Sequence, residues 1–69
     1  MEKIKLRDEY IKLGQALKAA GMVESGVDAK FASTDGLVTV NGVVELQRGI
    51  KLHDKDVVSY DGQEVMIVK

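Results

Sequence analysis

The stretch "LVTVNGVVEL", Leu37 to Leu46, sets two β-rich runs on either side of Asn41-Gly42. Asn-Gly admits positive φ at both central positions of a tight turn, so this segment reads as a β-hairpin. "DVVSYDGQEVMIVK" repeats the device, with Asp61-Gly62 joining Val57–Tyr60 to Glu64–Val68. A two-residue turn at Asn41-Gly42 would set Glu45 on the same face as Val38 and Val40. A three-residue turn, with Gly42 in positive φ and a bulge, aligns Val38 with Val44 and Leu46 instead. The bulged turn is the expectation, because it keeps the Glu45 carboxylate out of the core.

Ahead of the hairpins the periodicity changes. "KIKL", Lys3 to Leu6, alternates polar and apolar residues and suits a short strand. Leu13, Leu17 and Ala20 then fall on one helical stripe, with Ala16 beside it. Asp8 could cap an early start, but Gly14 argues for a start near Lys12. Gly21 stands where a helix ends on a positive-φ residue. Only four residues later Ser25 has the chemistry of an N-cap, and Asp28 follows at capping-box spacing with a shorter acid. The second helix is expected from Gly26 to about Thr34, closing at Asp35-Gly36. Strand, two helices and four short strands give an α+β fold, with two helices packed on a small, mainly antiparallel sheet. The whole chain, 1–69, is expected to form one domain.

Composition narrows the functional classes. The chain has 69 residues, no cysteine and no proline, so neither a disulfide framework nor a thiolate metal site is available. The N-terminus "MEKIKLRDEY" lacks the apolar core of a signal peptide, and no run is long enough to span a membrane. A cytoplasmic location is the expectation. Ten basic residues against eleven acidic ones give a formal charge of −1. Net charge therefore offers no argument for nucleic acid, and such a case must rest on a local patch.

Few residues suggest catalysis. His53, the single histidine, lies in the polar run "KLHDKD", which reads as a solvated turn or, alternatively, as a phosphate contact. The pairs Asp8-Glu9 and Asp54/Asp56 sit beside Arg7 and Lys55 in apparent loops and read as solvated surface. Phosphate loops, dinucleotide fingerprints, nucleophile elbows and metal-ligand spacings are all absent, so no enzyme, cofactor, metal or small-molecule substrate is expected. What remains is a set of basic side chains: Lys12, Lys18, Lys30, Arg48 and Lys51. On an ideal helix Lys12 and Lys18 stand about 120° apart, so they do not form one stripe. Composition and spacing leave the function open between a binding site and plain surface.

The order of the residues adds to this. Lys12-Leu13, Leu17, Gly21, Ser25, Ala29, Gly36, Val38 and Val40-Asn41-Gly42 resemble the RNA-binding domain of ribosomal protein S-four, or αL motif. "GxVxVNG" is the most specific part. The pattern "LKAAG", "ESG", "AK", "G-V-VNG", "E-RG-KL" is similar, over nearly the whole chain, to the small standalone bacterial YaaA/YbcJ group. The resemblance implies a noncatalytic module whose two helices present one face to structured RNA, with the hairpin alongside. In larger relatives the residue after the serine is commonly arginine, whereas here it is Gly26. Gly26 would let a phosphate approach the free amides opening the second helix, or would only relieve crowding against the first. Relatives also carry two large aliphatic residues where this chain has Ala32 and Ser33. If those positions face the core, the loss is of the leucine-to-alanine kind, roughly 2–5 kcal/mol each before repacking.

The resemblance thus implies binding of structured RNA, ribosomal or transfer, with no membrane partner. Lys12, Lys18, Lys30, Arg48 and Lys51 would contact phosphates, and Ser25, Gly26 and Asn41 would supply short-range contacts. The alternative is a protein–protein interaction module on the same fold with little RNA affinity. Phe31 would be its anchor if exposed, although a lone phenylalanine on a helix with Val27 is expected in the core.

Overall fold

A computed structural model describes residues 1–69. In chain order the elements are β1 (Glu2–Lys5), β2 (Ile11–Lys12), α1 (Leu13–Ala19), α2 (Gly26–Thr34), β3 (Val38–Val40), β4 (Val43–Val44), β5 (Lys51–Leu52), β6 (Val57–Tyr60) and β7 (Gln63–Val68). The main sheet runs β1-β7-β6-β3-β4 and is antiparallel except for the β1–β7 pair at its edge. The α+β architecture with a mainly antiparallel sheet is as the sequence reading expects.

Both hairpins use two-residue turns. Asn41 and Gly42 have φ of 53° and 83°, and Asp61 and Gly62 have φ of 50° and 75°. These left-handed pairs match the twist of the flanking strands. Val40 pairs with Val43 and Thr39 with Val44, so the expected bulge at Gly42 does not form. Glu45 consequently lies opposite Val38, its N–H donating to the Val38 carbonyl at 2.9 Å. The carboxylate escapes burial by position rather than by register. At the end of the edge strand it is half-buried and accepts from the Gln47 N–H at 3.1 Å.

The register places Val40, Val58 and Val65 in one row of the inner face, with Val38 and Tyr60 in the next. Ile67 of β7 stands beside Ile4 of β1 on that face. Leu13, Ala16 and Leu17 of α1, Ala29 and Ala32 of α2, and Val23 between the helices complete the core with Leu52. Ala32 and Ser33 do face this core, and Ser33 is fully buried. Its hydroxyl donates to the Ala29 carbonyl at 2.9 Å, so the polar atom is satisfied within its own helix. Phe31 is not in the core. It is 57% exposed, because at the position where the larger side chain could pack, α2 turns Ala29, Ala32 and Ser33 inward instead.

Both helices end by the same device. Gly21, at φ 72°, donates to the Lys18 carbonyl, and Met22 donates to that of Leu17. Gly36, at φ 73°, donates to Ser33 and Leu37 to Ala32. These paired bonds satisfy carbonyls left free at the helix ends and turn the chain sharply. Ser25 caps α2 as expected, its Oγ accepting from the Asp28 N–H at 3.2 Å.

The sequence reading missed one pairing. β2 and β5 form a small antiparallel ladder, Ile11 opposite Leu52 and Lys12 opposite Lys51. Next to it the Leu13 and Gly14 amides donate to the Ile50 and Arg48 carbonyls at 3.0 and 2.9 Å. The 47–50 loop thereby satisfies the first-turn donors of α1 and is held against that helix.

Candidate nucleic-acid interface

The 47–50 loop determines the geometry of the site. Held through its carbonyls to Leu13 and Gly14, it carries the Arg48 side chain to the start of α2. There Nη1 donates to the Gly26 carbonyl oxygen at 2.7 Å. A groove of about 290 Å³ results, lined by Lys12, Gly14, Gln15, Lys18, Gly26, Arg48 and Gly49, none of them apolar. Three of the seven are cations and none is an acid. Lys12 and Lys18 do not share a helical stripe, yet both reach this groove, because Lys12 precedes α1 and Arg48 closes the space between them.

The two helix N-termini differ in what they leave available. Those of α1 are tied up by the 47–50 loop, with the Lys12 N–H donating to Gln15 Oε1 at 3.3 Å. In α2 the Asp28 amide is taken by Ser25 Oγ and the Ala29 amide by the Ser25 carbonyl. The Gly26 and Val27 amides, which open this nine-residue helix, have no such backbone partner. They carry the positive end of the helix dipole beside the Arg48 guanidinium.

Of the eight expected contact residues, the groove gathers Lys12, Lys18, Gly26 and Arg48. Ser25 is the N-cap of α2 and Lys30 lies on α2 four residues after Gly26; neither lines the groove. Lys51 lies opposite Lys12 in the β2–β5 ladder, a like-charge pairing that works against local stability. Its Nζ sits 4.7 Å from the Tyr10 ring centroid, a cation–π contact. Asn41 stands apart. Its Nδ2 donates to Asp56 Oδ1 at 3.0 Å and its Oδ1 accepts from the Val57 N–H at 2.9 Å, fastening the hairpin to β6. Gln15 and Gly49 line the groove without having been singled out, since neither an uncharged amide nor a loop glycine carries a charge signal.

Gly26 does not relieve crowding against α1. A Cβ there would meet Arg48 Nη1 at 3.3 Å and no atom of the first helix. Nor are Asp54 and Asp56 simply solvated. Asp56 Oδ2 accepts from the His53 N–H at 2.7 Å, and Asp54 Oδ1 from the Lys69 N–H at 2.9 Å. Together with the Lys55 to Ile67 backbone bond, these close the 53–56 turn onto β7. His53 is exposed in that turn, its ring 6.5 Å from Tyr10. No three His, Cys, Asp or Glu residues are placed to hold a metal ion, and no helix is long and apolar enough to cross a membrane.

Fold and groove together define a class: small α+β modules that hold a cationic hollow against the start of their second helix. The chain belongs to the S4 domain family, which matches it over residues 4–68. "Putative RNA-binding protein YbcJ" of Escherichia coli (strain K12) is 37% identical over 59 residues, covering 86% of this chain and 84% of that protein. "Probable ribosome maturation protein RlbA" of Bacillus subtilis (strain 168) is 41% identical over 59 residues, covering 86% and 83%. The solution structure of YbcJ from E. coli, described as revealing an αL motif involved in RNA-binding, superposes with a TM-score of 0.76 at 34% identity. That superposition covers 100% of this chain and 89% of YbcJ.

Proposed function

We propose that this chain is a noncatalytic RNA-binding protein that recognises structured RNA, ribosomal RNA before transfer RNA, in the cytoplasm. The observation that carries the reading is the acid-free groove in which Lys12, Lys18 and Arg48 converge on the opening turn of α2. A phosphate seated there meets mobile ammonium groups, a fixed guanidinium and the free amides of Gly26 and Val27. The family supports RNA as the source of that phosphate. The choice of ribosomal RNA follows the relative named for ribosome maturation.

In this reading Lys30 and Lys51 extend the contact to neighbouring phosphates on either side of the groove, and Ser25 holds the amides in place. Asn41 acts at a distance by fixing the hairpin. Such contacts set register on a folded backbone and read shape rather than sequence. A local patch of this kind resolves the difficulty posed by a net charge of −1. The test is binding to a structured ribosomal RNA fragment and to a transfer RNA, followed by fluorescence anisotropy at several salt concentrations. Tighter binding to the ribosomal fragment is expected. Tighter binding to transfer RNA would overturn that choice, and no binding to either at low salt would overturn the RNA reading.

A further inference from the structure

A second groove has the opposite character. Met22, Phe31, Leu37 and Tyr60, with the buried Val23 and Ala32 beneath, form its apolar part, and Glu24, Asp28 and Asp35 stand around it with no lysine or arginine among the lining residues. Asp28 of α2 and its C-cap Asp35 lie seven residues apart, about two turns of helix, with Phe31 between them. Phe31 and Leu37 are 57% and 56% exposed, and together they present more apolar surface than scattered single side chains would.

The acids here differ from the three that the fold itself engages. Glu45, Asp54 and Asp56 use their carboxylates to accept backbone N–H groups. Those of Glu24, Asp28 and Asp35 make no hydrogen bond within the chain. Asp35 moreover caps the C-terminus of α2, where the helix dipole opposes a negative charge. Of the three grooves on this near-neutral chain, one is lined by cations without acids, one by acids without cations, and the third by both.

We infer that this acidic, apolar groove is a docking site for a basic peptide segment carrying an apolar anchor, such as a leucine or phenylalanine flanked by lysine or arginine. The apolar side chain seats against Phe31, Leu37 and Tyr60, and the flanking cations meet Glu24, Asp28 and Asp35. Charge complementarity selects this occupant. The cationic groove of a second copy would match the charge but has no apolar side chain to seat against Phe31, and RNA would be repelled. The inference does not depend on the RNA reading, since the two grooves share no residue.

The experiment is a titration of the ¹⁵N-labelled full chain with a synthetic twelve-residue peptide of lysine and arginine around two leucines. Two control peptides replace the leucines by serine or the basic residues by glutamate. Saturable amide shifts confined to residues 22–24, 28–37 and 60 are expected with the first peptide only. Phe31→Ser and the pair Asp28→Asn/Asp35→Asn should each weaken binding at least tenfold, while both variants keep the parent's dispersed spectrum. Equal binding of the serine control, or shifts confined to other residues, would overturn the proposal. So would shifts that follow protein concentration without peptide, because they assign the groove to self-association.

Discussion

Arg48 Nη1 donates to the Gly26 carbonyl oxygen at 2.7 Å, bringing a guanidinium from 22 residues away to the first turn of α2. A Cβ on residue 26 would lie 3.3 Å from that same nitrogen. The cation thus reaches the helix start from a loop rather than from the helix itself. Arg48→Ala should reduce the slope of log K against log salt by about one unit and weaken RNA binding. Thermal stability should change little, because the side chain is exposed and the loop is held by backbone bonds. A large loss of stability with unchanged binding would make Arg48 a structural strut.

Gly26→Ala separates folding from binding. The new methyl group meets the flexible end of Arg48, which can yield, and a helical alanine is favoured over glycine by roughly 0.5–1 kcal/mol. A chain of equal or slightly greater stability that binds RNA less well is expected. Thermal melts run beside anisotropy measure both effects. Undiminished affinity would show that close approach at residue 26 is unnecessary.

Ser25→Ala removes the acceptor for the Asp28 amide. A cost of about 1 kcal/mol is expected from the lost cap, read as a lower urea midpoint with an unchanged slope. Coincident midpoints would exclude the cap as a stabilising contact.

Asn41→Ala tests the division of labour among the residues first singled out. It removes the two side-chain bonds to Asp56 and Val57 and puts a less tolerant residue at φ 53°. Destabilisation of about 1–2 kcal/mol is expected, with the salt slope of RNA binding unchanged. A slope reduced by one unit at full stability would place Asn41 in the interface after all.

Much of the fold was legible because its signals are local. Gly21, Ser25 and Gly36 bound the helices through caps that span three to five residues, and both two-residue turns carry their own signature. The errors came where tertiary position decides. Glu45 tolerates the inner face because the sheet ends there, and Phe31 lies outside because α2 presents its small residues inward. The groove was legible in part. Lys12, Lys18, Gly26 and Arg48 could be singled out one by one, but their convergence depends on the two-residue β2–β5 ladder and the carbonyls of the 47–50 loop. Neither leaves a pattern in the sequence. Gln15 joins the site through this same geometry.

The central claim, a preformed cationic groove that binds RNA phosphates, is tested most directly by the salt dependence of binding to a structured ribosomal RNA fragment. Each phosphate neutralised should contribute roughly −0.7 to −0.9 to the slope of log K against log salt. With Lys12, Lys18 and Arg48 in the groove and Lys30 and Lys51 as the proposed outer contacts, modest affinity and a total slope between roughly −2 and −4.5 are expected. Salt-independent binding, or no binding at low salt by a chain that remains folded, would contradict it.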